Sequence, residues 1–193
     1  EKINTYFNLK EMEYKAITNF KDVDNLKNER IFKAKEEELP NYLKKYFSRL
    51  IRLERLREVM VLTGFMRDSF PEPDFEEQEG IVELTKHKDN WLPAVEMFGE
   101  GIFIEFNKKS VEEFFSSKDL KRIKDDYKEL YDKFISQKGW EHQVERNGVY
   151  VLLHTFSHLL INQLAGTSGY SSTALKERIY FSEDMCGLLI YTG

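Results

Sequence analysis

Two histidines lie one helical turn apart in the sequence VYVLLHTFSHLLINQLA, in the second half of the chain. The apolar residues of this run predict a helix from Val149 to Leu164, in which His154 and His158 occupy positions i and i+4. Both imidazoles then project from one helical face, which is the spacing used by helix-borne zinc ligands. One hypothesis is therefore a metal-dependent hydrolase or nuclease that uses this pair.

The surrounding sequence favours a structural role for the two histidines. No Glu follows His154 as in a His-Glu-x-x-His metalloprotease, and no third ligand with suitable spacing is apparent. The loop Gly166–Gly169 lacks the Gly-Lys-Ser/Thr ending of a phosphate loop, so we interpret it as a helix C-cap and turn. We interpret Cys186, beside Gly187, as a small apolar residue of a buried strand. The expectation is no catalytic residue, no metal and no cofactor among these residues.

Composition and charge exclude several other classes of protein. The chain has 193 residues, of which 41% are apolar and 33% charged, a globular composition. No apolar run approaches the length of a membrane span, so we expect no membrane association. A single cysteine excludes an internal disulfide and is consistent with a cytoplasmic location. The net charge of −5 argues against a domain that binds nucleic acid without a local basic patch or a partner.

A basic run between positions 44 and 55 is the best local candidate for phosphate contact. Aromatic residues Tyr42, Tyr46 and Phe47 are interleaved with its lysines and arginines. We predict that Lys45, Arg49 and Arg52 face DNA, although a solvated outer face of a helix would show the same pattern.

The remaining pattern predicts an α+β fold, with helices packed on a small mixed or antiparallel sheet. The sheet would contain a 91–106 hairpin that turns at Gly99-Glu100-Gly101, and a C-terminal strand at Gly187–Tyr191. Periodicity predicts further helices at 39–62, Ser110–Phe115, Lys118–Gln137 and Thr173–Arg178. Residues 1–36 are expected to form loops and short strands, and the acidic residues 68–90 a loop with one strand at Ile81–Leu84.

The expected division is a poorly defined segment, 1–38, followed by an α+β domain, 39–193. A short apolar strand at the end of the chain still needs partners for its backbone and for both of its faces. We therefore expect the chain to be a fragment of a larger subunit.

Five phrases occur together and in one order along the chain: RLREVMVLTGFMR, WLPAVEMFGEGIFIEF, LLHTFSHLLINQLA, GYSSTALKERIY and GLLIYT. In this order they resemble the C-terminal half of the DrmB family, the helicase-associated subunit of the bacterial DISARM anti-phage system. The resemblance covers most of residues 50–193, and residues 1–49 match it only loosely.

The resemblance implies an accessory subunit without a nucleotidase motor. Such a subunit would bind a helicase-like ATPase and contact phage DNA through the complex. In similar helicase-associated proteins a cysteine cluster toward the C-terminus binds zinc. Here the sequence ends at Gly193, before the cysteines of the family pattern, so zinc is expected only in a longer form. A purely architectural subunit without DNA contact is a further alternative.

Several polar residues match polar positions of the family phrases. We expect them to form the polar interior of the fold or a partner interface, because polar residues within apolar runs need fixed hydrogen-bond partners. These residues are Arg57, Glu58, Glu96, Glu100, His154, His158 and Arg178.

Overall fold

A computed structural model of the chain describes residues 4–20, 30–62, 64–65, 91–138, 146–169 and 171–193. These ranges contain four α-helices and five strands. The helices are α1 (Asn4–Thr18), α2 (Lys108–Phe114), α3 (Lys118–Lys138) and α4 (Gly148–Ser168). The strands are β1 (Phe32–Glu37), β2 (Phe47–Val61), β3 (Ala94–Phe106), β4 (Leu175–Phe181) and β5 (Cys186–Thr192).

The five strands form one antiparallel sheet in the order β1-β2-β3-β5-β4, which confirms the predicted α+β class. Alternate residues of each strand face opposite sides of this sheet. On one side Ile104, Leu188 and Ile190 pack against α2 and α4. On the other side Phe103 and Leu189 pack against α1. The sheet is therefore the middle layer between two layers of helix.

Strand β2 replaces the helix predicted for residues 39–62, so that prediction is wrong. Ile51 and Leu53 are fully buried and alternate with exposed Arg52 and Glu54, which is the period of a strand. The charged and leucine residues of this stretch have high helix propensity. Pairing with β3 along the length of β2, and with β1 over Leu50–Leu56, overrides that preference.

Strand β3 runs unbroken from Ala94 to Phe106, so the hairpin predicted at 91–106 is also wrong. Gly99 and Gly101 lie inside the strand and do not form a turn. A Cβ atom on Gly99 would lie 1.5 Å from the carbonyl oxygen of Thr192, and one on Gly101 would lie 2.7 Å from that of Ile190. The two glycines allow the backbone of β5 to approach β3 closely.

The C-terminal elements agree with the prediction except at residues 173–178. Helices α2, α3 and α4 and strand β5 lie where they were expected, and α4 continues to Ser168. A C-cap and turn were predicted at Gly166–Gly169; Gly169, with φ of 73°, is a left-handed C-cap, but Gly166–Ser168 belong to the helix and form no turn. The predicted helix at Thr173–Arg178 is wrong, because a single 3₁₀ turn at Ser172–Ala174 leads directly into β4.

The N-terminal segment is more ordered than the sequence indicates. Residues Asn4–Thr18, expected as loops, form α1, and Tyr14 and Ile17 of this helix are buried against the sheet. Strand β1 is a short strand of the expected kind. The predicted 68–90 loop and its Ile81–Leu84 strand lie outside the described residues. None of the helices described is both long enough and apolar enough to cross a membrane.

Strands β2 and β3 extend beyond the rest of the sheet. Strand β1 pairs with β2 only as far as Leu56, and β5 pairs with β3 only from Gly101 onward. We define the β2–β3 arm as Arg57–Val61 of β2 paired with Ala94–Phe98 of β3. Five residue pairs correspond to about 17 Å of strand. Apolar side chains of the arm are largely exposed: Val59, Met60, Val61, Val95 and Phe98.

Replacing Gly99 with alanine should destabilise the fold, because its Cβ would overlap the backbone of Thr192. We expect a loss of about 2 kcal/mol or more in the free energy of unfolding, measured by urea denaturation. Gly166→Ala is the matched control, since no atom lies within 4 Å of a Cβ at that helical position. The control should stabilise the chain by about 0.5–1 kcal/mol. Equal stability of the two variants would contradict the close-approach explanation.

Candidate functional site

Helix α4 places the two histidines of the sequence motif on the side of the helix that faces β4. The side chain of Asn147 caps the helix by accepting a hydrogen bond from the backbone N–H of Val149 at 2.8 Å. Leu153 and Ile161 are buried in the core and fix the rotation of the helix. His154 and His158 then lie at the edge of the buried face, with ring centres 4.4 Å apart.

Strand β4 brings Glu177 to the same place. Its Oε1 atom lies 2.6 Å from Nδ1 of His154 and 3.8 Å from Nε2 of His158. Its Oε2 atom accepts a hydrogen bond from the hydroxyl of Ser157, which is completely buried. The structure therefore joins two imidazoles and one carboxylate, and a serine hydroxyl holds the second carboxylate oxygen.

The three side chains have the composition of a metal-ligand set. One ligand atom from each of His154, His158 and Glu177 can be chosen so that all three lie within 4.8 Å of one another. Nδ1 of His154 is shielded from solvent. It lies 2.6 Å from Oε1 of Glu177, but the two atoms do not form a hydrogen bond. A buried nitrogen without a hydrogen bond is energetically costly, and coordination to a cation would satisfy it.

Sequence reasoning missed Glu177 because it placed residues 173–178 in a helix. In the strand, every second side chain of this segment faces α4, and these are Leu175, Glu177 and Ile179. The useful signal was a glutamate between two apolar residues at period two, which indicates a carboxylate directed toward the interior.

Arg178, predicted as a structural polar residue, faces the opposite side of the sheet and binds α1. Its guanidinium donates two hydrogen bonds to the carboxylate of Glu13, at 2.5 and 2.8 Å. The hydroxyl of Tyr180 donates a third to Glu13 at 3.3 Å. Burial, together with the Glu13 carboxylate, raises the pKa of Tyr180 far above its usual value, so this phenol stays protonated as a donor. Two residues of β4 thus hold the N-terminal helix.

Glu58 of β2 contacts the last two strands of the chain, β4 and β5. It accepts hydrogen bonds from Lys176 at 2.5 Å and from the hydroxyl of Tyr191 at 3.1 Å. Burial and the carboxylate of Glu58 raise the pKa of Tyr191 to about 12, so this hydroxyl also remains a donor.

The other predicted polar residues lie along the arm and at its base. Arg57 forms an ion pair with Glu96 at 2.9 Å across β2 and β3, with both side chains more than 40% exposed. The backbone N–H of Glu100 donates to the hydroxyl of Thr192 at 3.2 Å, where β5 reaches β3.

The predicted DNA patch is not one surface in this structure. Arg49 and Arg52 are separated by an odd number of strand positions, so they point to opposite faces of the sheet. Arg49 binds Glu36 at 2.9 Å, and Arg52 binds Glu37 at 3.2 Å and Glu54 at 2.9 Å. Lys45 is exposed in the turn before β2. DNA contact by these residues stays a prediction, but the two arginines have acidic partners within the fold.

The turn before β2 exposes a different basic and aromatic group. Tyr42 is 75% exposed and Tyr46 is 52% exposed. Lys44 and Lys45 lie between them and are also exposed. The ammonium group of Lys45 lies 5.6 Å from the ring centre of Tyr46. Exposed lysines beside exposed aromatic rings suit a single-stranded nucleic acid, whose phosphates and bases they can contact together.

Cys186 is buried at the start of β5. Burial raises the pKa of its thiol to about 11, so it is protonated at neutral pH and is not a reactive nucleophile.

The Arg178 to Glu13 contact should contribute measurably to stability, because both side chains are only about 30% exposed. We expect Arg178→Met to lower the free energy of unfolding by about 2 kcal/mol, since it leaves the Glu13 carboxylate without its main partner. Arg57→Met is the control, and loss of its exposed pair with Glu96 should cost less than about 1 kcal/mol. Urea denaturation measures both changes, and hydrogen exchange should show α1 opening selectively in Arg178→Met. Unchanged exchange in α1 would contradict this role.

Comparison with known proteins supports the family resemblance. No protein-family model matches the chain. DISARM protein DrmB of Bacillus paralicheniformis is 46% identical over 190 residues, which are 97% of this chain and 33% of that protein. The chain thus spans about a third of the length of this relative. The similarity includes α1 and β1 as well as the phrases from which the resemblance was recognised. Over nearly its whole length the chain is therefore similar to one third of DISARM protein DrmB.

Proposed function

We propose that this chain is part of a non-catalytic accessory subunit of a bacterial anti-phage defence complex of the DISARM type. In this proposal the subunit acts in the cytoplasm, binds a helicase or ATPase partner and helps it to engage phage DNA. The observation that carries the proposal is the 46% identity to DISARM protein DrmB along nearly the whole chain. ATPase and translocase activity would reside in the partner.

The β2–β3 arm supports the binding of a protein partner. Its two faces carry different exposed apolar side chains, with Val59 and Phe98 on one face and Met60 and Val95 on the other. The exposed apolar surface continues past the arm at Leu62, Phe65, Trp91 and Leu92. Exposed apolar side chains concentrated in one region of a fold are typical of a protein–protein interface. We propose the helicase or ATPase subunit as its occupant.

The turn before β2 supports a contact with DNA. It carries two exposed lysines in a chain whose net charge is negative. Its positive charge is therefore local, and the protein as a whole does not attract anions. Its exposed tyrosines would stack on unpaired bases of DNA that a helicase has opened. In this proposal Lys44 and Lys45 contact phosphate, whereas Arg49 and Arg52 bind Glu36 and Glu37 at the end of β1.

The double substitution Met60→Glu and Val95→Glu should disrupt assembly with the helicase subunit. These side chains are 54% and 61% exposed and lie directly opposite each other across β2 and β3, so the change places two adjacent like charges in the proposed interface. We expect affinity between the purified subunits to fall at least about tenfold, measured by size-exclusion chromatography and calorimetry.

Leu159→Glu is the control for this test, because Leu159 is 64% exposed on α4, away from the arm. The control should assemble normally. Normal assembly of the arm variant would show that the arm does not contact the partner. A full-length subunit that loses stability, while the 193-residue chain does not, would show that the arm packs against its own subunit instead.

Reversing the charges of Lys44 and Lys45 to Glu should weaken binding of single-stranded DNA by the assembled complex. We expect the affinity for single-stranded DNA to fall about tenfold at moderate salt. The slope of log affinity against log salt concentration should become shallower by about 1.5. Fluorescence anisotropy measures both quantities. Lys118→Glu with Lys121→Glu, at the exposed start of α3, makes the same change of charge and should have little effect. Equal losses for the two pairs, or no loss in either, would contradict a DNA contact at this turn and favour a purely architectural subunit.

A further inference from the structure

We propose that His154, His158 and Glu177 bind a single divalent transition-metal ion, for which Zn²⁺ is the best match. The site lies between α4 and β4, within these 193 residues, apart from any zinc-binding cysteines of a longer protein. This inference is independent of the proposed partner and DNA contacts, so each can fail without the other.

The geometry fits a metal ion after small side-chain movements. Ligand atoms around a tetrahedral zinc ion at about 2.0–2.2 Å from the metal are about 3.4 Å apart. The distances from Glu177 Oε1 to the two imidazole nitrogens are 2.6 and 3.8 Å, on either side of that value. Three-point coordination requires the first distance to open, the second to close, and the two imidazole nitrogens, which lie within 4.8 Å of each other, to come to about 3.4 Å.

The donor atoms also suit zinc chemically. Two imidazoles and one carboxylate are a known ligand set of zinc sites in which the fourth coordination position is not taken by the protein. Calcium and magnesium, in contrast, prefer oxygen ligands alone. The two histidines are rigidly spaced by the helix, and Glu177 is fixed by strand pairing with Ile190 of β5. Both supporting elements are therefore in place before an ion binds, which reduces the entropic cost of forming the site.

A buried serine orients the carboxylate for this role. The hydroxyl of Ser157 donates to Oε2 of Glu177 and leaves Oε1 directed toward the histidines. Hydrogen bonds of this kind to a ligating carboxylate are the usual support of metal sites in proteins. Ser157 is also the polar residue most deeply buried among the described residues, with 0% exposure, so its position is fixed by the core.

The partial exposure of the site allows an ion to enter. The side chains of His154 and His158 are 42% and 59% exposed, while Glu177 is 23% exposed. The ion would thus be held from the protein side by three ligands, with its fourth position open toward solvent. A water molecule would occupy that position, as in other zinc sites with three protein ligands.

Zinc titration of the purified 193-residue chain tests the proposal. Isothermal calorimetry should show one saturable equivalent of Zn²⁺, and the Co²⁺ form should have the intense visible absorption of a tetrahedral site. His158→Ala and Glu177→Gln should each weaken the affinity for Zn²⁺ at least about tenfold. Circular dichroism in the absence of metal should show that each variant is folded. His158 is largely exposed, and the amide oxygen introduced by Glu177→Gln can still accept a hydrogen bond from Ser157.

Glu183→Gln, an exposed carboxylate in the turn between β4 and β5, is the matched control and should bind Zn²⁺ like the wild type. Retention of full affinity in Glu177→Gln would mean that only the helical histidine pair binds the ion, and would overturn the three-ligand site. The absence of a saturable equivalent in the folded wild-type chain would also overturn it.

Discussion

Strand β5 is covered on both of its faces, and each layer of helices meets the sheet through it. Residues Cys186–Tyr191 are all buried, with alternate side chains directed toward α4 and toward α1. Such a strand has no access to water, so its backbone groups must pair with strands on both sides. Close approach to β3 satisfies one side, and Gly99 and Gly101 make that approach possible. The rest of the architecture follows from this central strand, because β4 and both helical layers are placed relative to it.

The two sides of the sheet use polar residues in different ways. Toward α1, carboxylates accept hydrogen bonds from buried tyrosines, as in the contacts of Tyr14 with Glu105 and of Tyr191 with Glu58. Burial and the nearby carboxylates raise the pKa of these phenols, so they remain donors at any physiological pH. Toward α4, a single carboxylate meets two histidines that are partly open to solvent. The first arrangement maintains the fold, and the second has the chemistry of a binding site.

Features set by local sequence could be predicted, and features set by distant partners could not. Helices α3 and α4 were predictable from their periodicity, and the Gly169 cap from the glycine itself. The family resemblance was also readable, because five short phrases keep their order. Strand β2 was mistaken for a helix because Leu, Arg, Glu and Met favour helices, and β3, the partner along its whole length, is remote in sequence. The same limitation hid Glu177, since its proximity to His154 exists only once β4 has paired with β5.

The unbroken course of β2 and β3 has a mechanical consequence. Both strands pass from the arm into the body of the sheet, and the register of β2 shifts between Leu53 and Leu56, opposite Gly99 and Gly101. An irregularity in one strand facing glycines in the other is a place where a sheet bends and twists most easily. The contact of β5 with β3 lies at this same position. A bend at this position changes the contact of β3 with β5, the strand on which both helical layers pack.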